Sequence, residues 1–301
     1  MALFLGSLQL GLIYGLLALG IYITFRVLNL PDLTTDGSFT LGLAVCASLT
    51  LAGKPYLGLL CAALAGMAAG CVTGLLQTQL EIHPILSGIL TMSGLYTVNL
   101  YVLGSRSNLS LIGTDTLFSD LQGLLPALSK DSTKLLAALL VCAALAVFLV
   151  WLFKTHLGLC IRAVGDNEEM VRASSIPVAA AKITALALAN GSIALSGAVI
   201  AQYQGFADIS SGIGIVVVGL ASVIIGEVFL GRRSVTIGLL SAIAGSILYR
   251  LIIALALKSS IFPTYTLKLV SAAIVVVALS IPTMRHKIEQ FKRRKAAMQN
   301  A

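Results

Sequence analysis

The sequence predicts an all-α fold: a polytopic transmembrane helical bundle of about 8–10 spans with a short amphipathic helix on its cytoplasmic side. Three observations carry this. The 301 residues are 58% hydrophobic and only 11% charged, with a mean hydropathy of +0.99, whereas soluble domains carry about 25% charged residues. The apolar residues come in long uninterrupted runs rather than the short alternating segments of a transmembrane barrel. Lysine and arginine concentrate in short segments between those runs and at the C-terminal end, the pattern that orients membrane helices.

Nine apolar runs are expected to span: 2–25, 35–53, 56–80, 84–104, 134–153, 178–204, 213–231, 234–257 and 267–284. No lysine or arginine precedes Arg26. A cleavable signal peptide wants a basic start, so the first run reads as a retained helix. Pro31, Pro84 and Pro177 fall before or at expected helix starts, where a missing N–H does little harm. Gly66, Gly70 and Gly74 repeat at four-residue spacing and predict a face along which two helices approach closely. Asn99 and Gln202, inside or at the end of runs, predict hydrogen bonds between helices.

Placing the basic tail (Arg285, Lys287, Lys292, Arg293, Arg294, Lys295) in the cytoplasm and alternating backward puts Arg232, Arg233, Lys154, Arg162, Arg172 and Arg26 on the same side. Lys54, Arg106, Lys130, Lys134, Lys258 and Lys268 then lie outside, and Arg250 snorkels from within a run. Nine spans place the N-terminus outside. Residues 1–284 read as one transmembrane domain with a segment at 157–177 exposed to the cytoplasm, and 285–301 as a basic cytoplasmic tail. The outside loop 105–133 is expected to be partly helical.

Several functions are not supported. The net charge of +8 lacks the aromatic and basic constellation of a nucleic-acid surface. No GxxxxGK[ST] or HExxH pattern is present, and His83, His156 and His286 are far apart. Cys46, Cys61, Cys71, Cys142 and Cys160 form no CxxC pair and read as packing residues. No catalytic, metal or cofactor site is expected, and the chain is not expected to be an enzyme.

The segment RAVGDNEEMVRASSIP predicts a turn at Gly165, an N-cap at Asp166 or Asn167, Glu168 and Glu169 in the first turn of a short helix and Arg172 in its last. Either it is a solvated connector or it docks a cytoplasmic partner. LGLCIRAVGDNEEMVRASSIPV resembles the coupling segment of ABC-importer permeases of the branched-chain amino acid and ribose permease superfamily. The shared positions are Arg162, Ala163, Gly165, Asp166, Asn167, Arg172, Ala173 and Ile176, while Ser175 and Val171 replace a usual glycine and alanine. GLIYGLLALGIYITFRVLNLPDLTTDGSFTLG resembles that family's first helix and the start of its second. ASVIIGEVFLGRRSVTIGLLSAIAGSILY resembles a late glycine-rich region, with Glu227 in place of a second glycine. PDLTTDGSFTLG is similar to the branch paired with lipoprotein receptors for tryptophan or tyrosine.

The resemblance implies a bacterial plasma-membrane permease in a homodimer. It implies a cytoplasmic ABC ATPase dimer on Arg162, Ala163, Gly165, Asp166, Asn167, Glu168, Arg172 and Ala173. An external substrate-binding lipoprotein would deliver the solute. ATP would be used by the partner, so no cofactor is expected here. The alternatives are an ion-gradient-driven secondary transporter and a sugar or nucleoside importer permease of the same superfamily.

Besides a role in the ATPase contact or the dimer interface, two readings stay open for Asp32, Asp36 and Ser38. On the predicted orientation they lie at the cytoplasmic mouth of the second helix, where Asp36 serves as an N-cap and Asp32 pairs with Arg26. Alternatively a broken helix start lines the pathway and a carboxylate attracts an amino acid's ammonium. Glu227 is expected to pair with Arg232 or Arg233. Asp208, in a short outside loop, is a candidate for docking the receptor or a solvated turn.

Overall fold

The computed structural model describes residues 2–124, 129–174, 176–231 and 234–258, with single positions at 269, 272, 273, 276 and 280. Apart from those single positions the 267–284 span lies outside the described residues, as do the basic tail, Arg232 and Arg233.

Helix α1 (Ala2–Tyr22) continues into a π-helical turn (Ile23–Val27), followed by α2 (Thr34–Leu51), α3 (Pro55–Thr78) and α4 (Pro84–Val102). Pro55 and Pro84 occupy the first turn of their helices, where their locked φ suits the helix and no N–H is missed. The long loop that follows holds strand β1 (Asn108–Ser110) and the short α5 (Leu117–Leu124), in line with the expectation of partial helix. Ser129 caps α6 (Lys130–Lys154) by accepting the N–H of Ser132.

Two short helices, α7 (His156–Asp166) and α8 (Glu168–Ala173), lead to α9 (Val178–Gln204). Gly205 ends α9 in the left-handed conformation, φ +76°. Strand β2 (Phe206–Asp208) pairs antiparallel with β1, Leu109 opposite Ala207. Helices α10 (Ile215–Leu230) and α11 (Val235–Lys258) follow.

Eight expected spans are therefore helices. Six are long and apolar enough to cross a membrane: Phe4–Val27, Pro55–Thr78, Pro84–Val102, Lys130–Lys154, Val178–Gln204 and Val235–Ala256. The two that fall short are α2, which is rich in Thr, Ser and Gly, and α10, which has 16 residues.

Helix α9 is the axis of the bundle. Its residues from Ala185 to Gln202 are buried almost without interruption, as expected of a helix apolar all round. It packs against α2, α3 and α1. The Gly66, Gly70 and Gly74 row faces it as the spacing predicts: a Cβ on Gly70 would overlap the carbonyl of Leu186, and one on Gly66 the Ala194 side chain. Backbone contact at this distance brings van der Waals packing that apolar burial alone cannot supply between lipid-embedded helices.

At 1.5 Å per residue α9 is about 40 Å long, longer than a hydrocarbon core of about 30 Å. Asn190 is at its middle. Helix α2 starts opposite that point. Ser38 bonds Asn190, Gly42 abuts Ala194, and Gln202 reaches Thr50. Thus α2 rises beside only the half of α9 that ends at the β1–β2 pair.

Gly70→Ala is expected to lower the thermal midpoint, because the Leu186 carbonyl cannot retreat without moving α9. Gly94→Ala is the control: nothing lies within 4 Å of its new Cβ, and alanine favours a helix over glycine by about 1 kcal/mol. Thermal denaturation of the detergent-solubilised variants separates the two.

Candidate functional site

Between the π-helical turn and α2 the chain runs non-helically through 28–33. The turn closes with Leu28 N–H on Ile23 O, and Asn29 adopts φ +55°. This segment delivers Asp32, only 5% exposed, to the middle of the bundle. One carboxylate oxygen accepts the Thr34 N–H (2.9 Å) and the other the Asn190 Nδ2 (2.8 Å). Asn190 Oδ1 accepts the Ser38 hydroxyl (2.7 Å). Thr34 and Thr73 hydroxyls meet at 2.8 Å, tying in α3. Among the described residues no cation reaches Asp32. Its charge is met by the first turn of α2 and by a neutral amide.

Asp36 does different work. Its oxygens accept the N–H groups of Gly214 (2.8 Å) and Val216 (3.0 Å), so it caps α10 rather than its own helix. Two helix N-termini thus meet inside the bundle at one carboxylate. Beside them lies a cavity of about 440 Å³, walled by Asp36, Thr40, Met92, Tyr96, Asn99 and Ile213, among others. Asn99 donates from Nδ2 to Gly37 O (3.2 Å), the interhelical bond the sequence suggested. Gln202 likewise reaches Pro55 O and accepts the Leu117 N–H.

These positions correct the expectation for the two acids. Neither is at the mouth of the bundle: Asp32 lies opposite the midpoint of α9, and Asp36 is one turn further along. Nor does Asp32 pair with Arg26. Arg26 pairs instead with Glu227, which joins the π-helical turn to the far end of α10. The physical reason is that the chain leaves the helix after Val27 and turns at Asn29, and the irregular segment before Thr34 carries Asp32 into the interior, where Asn190 and the Thr34 N–H satisfy it. Arg250 stacks over the Tyr14 ring at 3.7 Å rather than reaching outward.

The 157–177 segment is helical in two pieces. Asn167 caps α8 by accepting the Met170 N–H (3.0 Å), and Glu168, Glu169 and Arg172 fall where expected. Gly165 is not a turn but lies within α7, where a Cβ would overlap the Val27 carbonyl. Arg162 and Asp166 border the cleft holding Arg26 and Glu227. Ala163 is half-buried and Ala173, at the end of α8, is exposed. Glu168 accepts from Arg172 (2.8 Å) and from Lys182, which fastens α8 to α9. The Lys182 hydrogen bond and, secondarily, that of Arg172 hold the Glu168 carboxyl below its ordinary range. Asp208 accepts the Ser210 N–H (2.8 Å) in a tight turn.

Asn190 escaped the sequence reading. Its only signal is an amide followed by glycine within ALALANGSIALSG. The cavity residues Met92 and Tyr96 gave no signal at all.

The family described as the permease component of the branched-chain amino acid transport system matches residues 3–279. The chain belongs to this family. A tyrosine transport system permease protein of Clostridioides difficile is 36% identical to the permease over 270 residues, 89% of this chain and 88% of that one. An uncharacterised protein of Rickettsia prowazekii is 33% identical over 278 residues, 91% and 95% of the two chains. No solved structure matches it.

Asn190→Leu leaves Asp32 and Ser38 without their shared partner inside the bundle, and should cost about 2–3 kcal/mol. Asp32→Asn in the same background should recover part of this, since the neutral amide is cheaper to leave short of a partner. Thermal unfolding of the single and double variants reads both. Because the Glu168 carboxyl is depressed, its tie to Lys182 contributes fully above the ordinary glutamate value and is lost as pH falls through the lower folded value. Hydrogen exchange of 168–173, corrected for intrinsic rates, should stay flat from neutral pH down to the ordinary glutamate range and rise below it. Glu168→Gln should abolish that dependence.

Proposed function

We propose that this permease is the membrane subunit of an ATP-driven importer for an amino acid with an aromatic side chain, working as a pair of copies in a bacterial inner membrane. An external binding protein hands over the solute at the β1–β2 end. A cytoplasmic ATPase dimer bears on α7 and α8. The permease itself carries out no bond chemistry: ATP is bound and hydrolysed by the partner.

One observation carries the reading. Gly165, in the segment that resembles a coupling helix, abuts Val27, and five residues later the same strand delivers Asp32 to the interior. A push on α7 therefore acts on the backbone that leads into the two meeting helix starts and the cavity beside them. Irregular backbone and a carboxylate inside a bundle are characteristic of a solute pathway, since hydrocarbon cannot satisfy them. The name of the Clostridioides difficile relative supports tyrosine or a similar solute. Arg26, Arg162 and Arg172 share the α7–α8 end, which supports its assignment to the cytoplasm.

A second reading has one observation in its favour. A gradient-driven carrier is expected to bury an ionisable group at mid-height, and Asp32 is such a group. ATP dependence separates the two.

In proteoliposomes holding the permease and its ATPase, with the binding protein added, tyrosine uptake should require ATP and survive collapse of the ion gradients. Uptake that follows the gradient without ATP would favour the carrier. Gly165→Val should reduce ATP-driven uptake about tenfold or more while the permease remains monodisperse, because a side chain there lifts α7 off the π-helical turn. Retention of full uptake would remove α7 from the drive.

A further inference from the structure

We propose that the cavity between α2, α4 and the 209–213 loop contains a binding subsite for a primary ammonium group, formed by Asn99, Asp36 and Thr40. This rests on the amino acid importer reading and adds to it the atoms that meet the solute.

Asn99 is 1% exposed, and its Oδ1 has no hydrogen-bond partner. The amide cannot be turned to relieve this. Its Nδ2 donates to Gly37 O, and the reversed orientation would set two acceptors against each other. A buried acceptor without a donor is costly, so a ligand that supplies an N–H is favoured.

The same cavity is bordered by the Asp36 carboxylate. Each Asp36 oxygen accepts one backbone N–H and keeps lone pairs for another donor. The Thr40 hydroxyl donates to Asp36 O (3.0 Å) and so turns acceptor towards any further partner. No lysine, arginine or histidine is among the described residues that line the cavity. Three acceptors, one of them a carboxylate, with no side-chain cation among the described lining residues, match an ammonium with its three N–H groups. They do not match a carboxylate or a sugar, whose hydroxyls need donors as well as acceptors. Met92, Tyr96 and Ile213 provide an apolar wall for an aromatic ring, within a volume typical of small-molecule sites, roughly 300–1,000 Å³.

The test is ligand-dependent thermal stabilisation of the purified permease, titrated to an apparent Kd with tyrosine, tyramine and 3-(4-hydroxyphenyl)propanoate. Tyrosine and tyramine keep the amine; the propanoate keeps only the carboxylate. The subsite predicts that both amines bind about tenfold or more tightly than the propanoate. Equal binding of all three, or binding by none, overturns it. Asn99→Leu should weaken the preference for amines about threefold or more, and a preference left unchanged in a folded variant moves the subsite elsewhere. ATP-driven uptake by the native permease without any amine preference sinks the subsite and leaves the importer standing. Absence of ATP-driven uptake with the amine preference intact does the reverse to the importer, and the pocket then stands as an amine site in a different kind of carrier.

Discussion

The architecture depends on one constraint: a carboxylate lies in the middle of an apolar bundle and has to be satisfied there. Asp32 is met by the start of α2 and by Asn190 at the midpoint of α9. That solution dictates much else. Helix α2 must begin at mid-height so that its free N–H groups face the charge. Helix α9 must bring an amide to the same level, which requires it to be the buried axis. The approach of α3 follows, since Thr73 completes the set through Thr34. In water these bonds would each be worth little; where no solvent can replace them, leaving one unmade is the dominant cost.

The second carboxylate extends the same logic to α10. A helix that starts inside a bundle exposes N–H groups with no intrahelical partner. Asp36 supplies acceptors for two of them. Helices α2 and α10 are thereby opened at the same depth and joined through a single side chain. Neither needs to be long enough to cross a membrane, and neither meets the length and apolarity of the six that do. The space left between α2, α4 and the loop that leads into α10 is the cavity, so the pathway candidate is a product of how two helix starts are satisfied.

The outline of the fold was legible because hydrophobic runs and proline positions act locally. Eight expected spans appear as helices, and the Gly66–Gly70–Gly74 face meets a partner as its spacing suggested. The depth of Asp32 and Asp36 was not legible. Charge counting places acids at membrane edges, and their actual partners, Asn190 and the Gly214–Val216 backbone, lie more than 150 residues away. Gly165 misled for a related reason. In sequence a glycine between charged residues suggests a turn, but here it is required by close approach of α7 to Val27, a tertiary contact. The cap at Asn167 and the ion pairs of Glu168 were readable, since they need only near neighbours and the start of the next helix.

These contacts close into a ring. The π-helical turn leads through 28–33 to Asp32, which shares Asn190 with Ser38 on α2. Asp36, on the same helix, holds the start of α10. Helix α10 runs back to Glu227, which pairs with Arg26 in the turn where the circuit began. A ring of this kind cannot be displaced at one point alone. Its members are short helices and an irregular segment of chain, and where one member meets another the link is a directional polar bond. Such bonds tolerate little stretching before they exchange partners, so the ring is more suited to two discrete arrangements than to gradual deformation. Helix α7 touches it at Val27, the residue next to the Arg26–Glu227 pair. The cavity touches it at Asp36, on the opposite side. A load applied at the first position and a solute held at the second would each bias the same circuit, which is what coupling between a motor and a pathway requires.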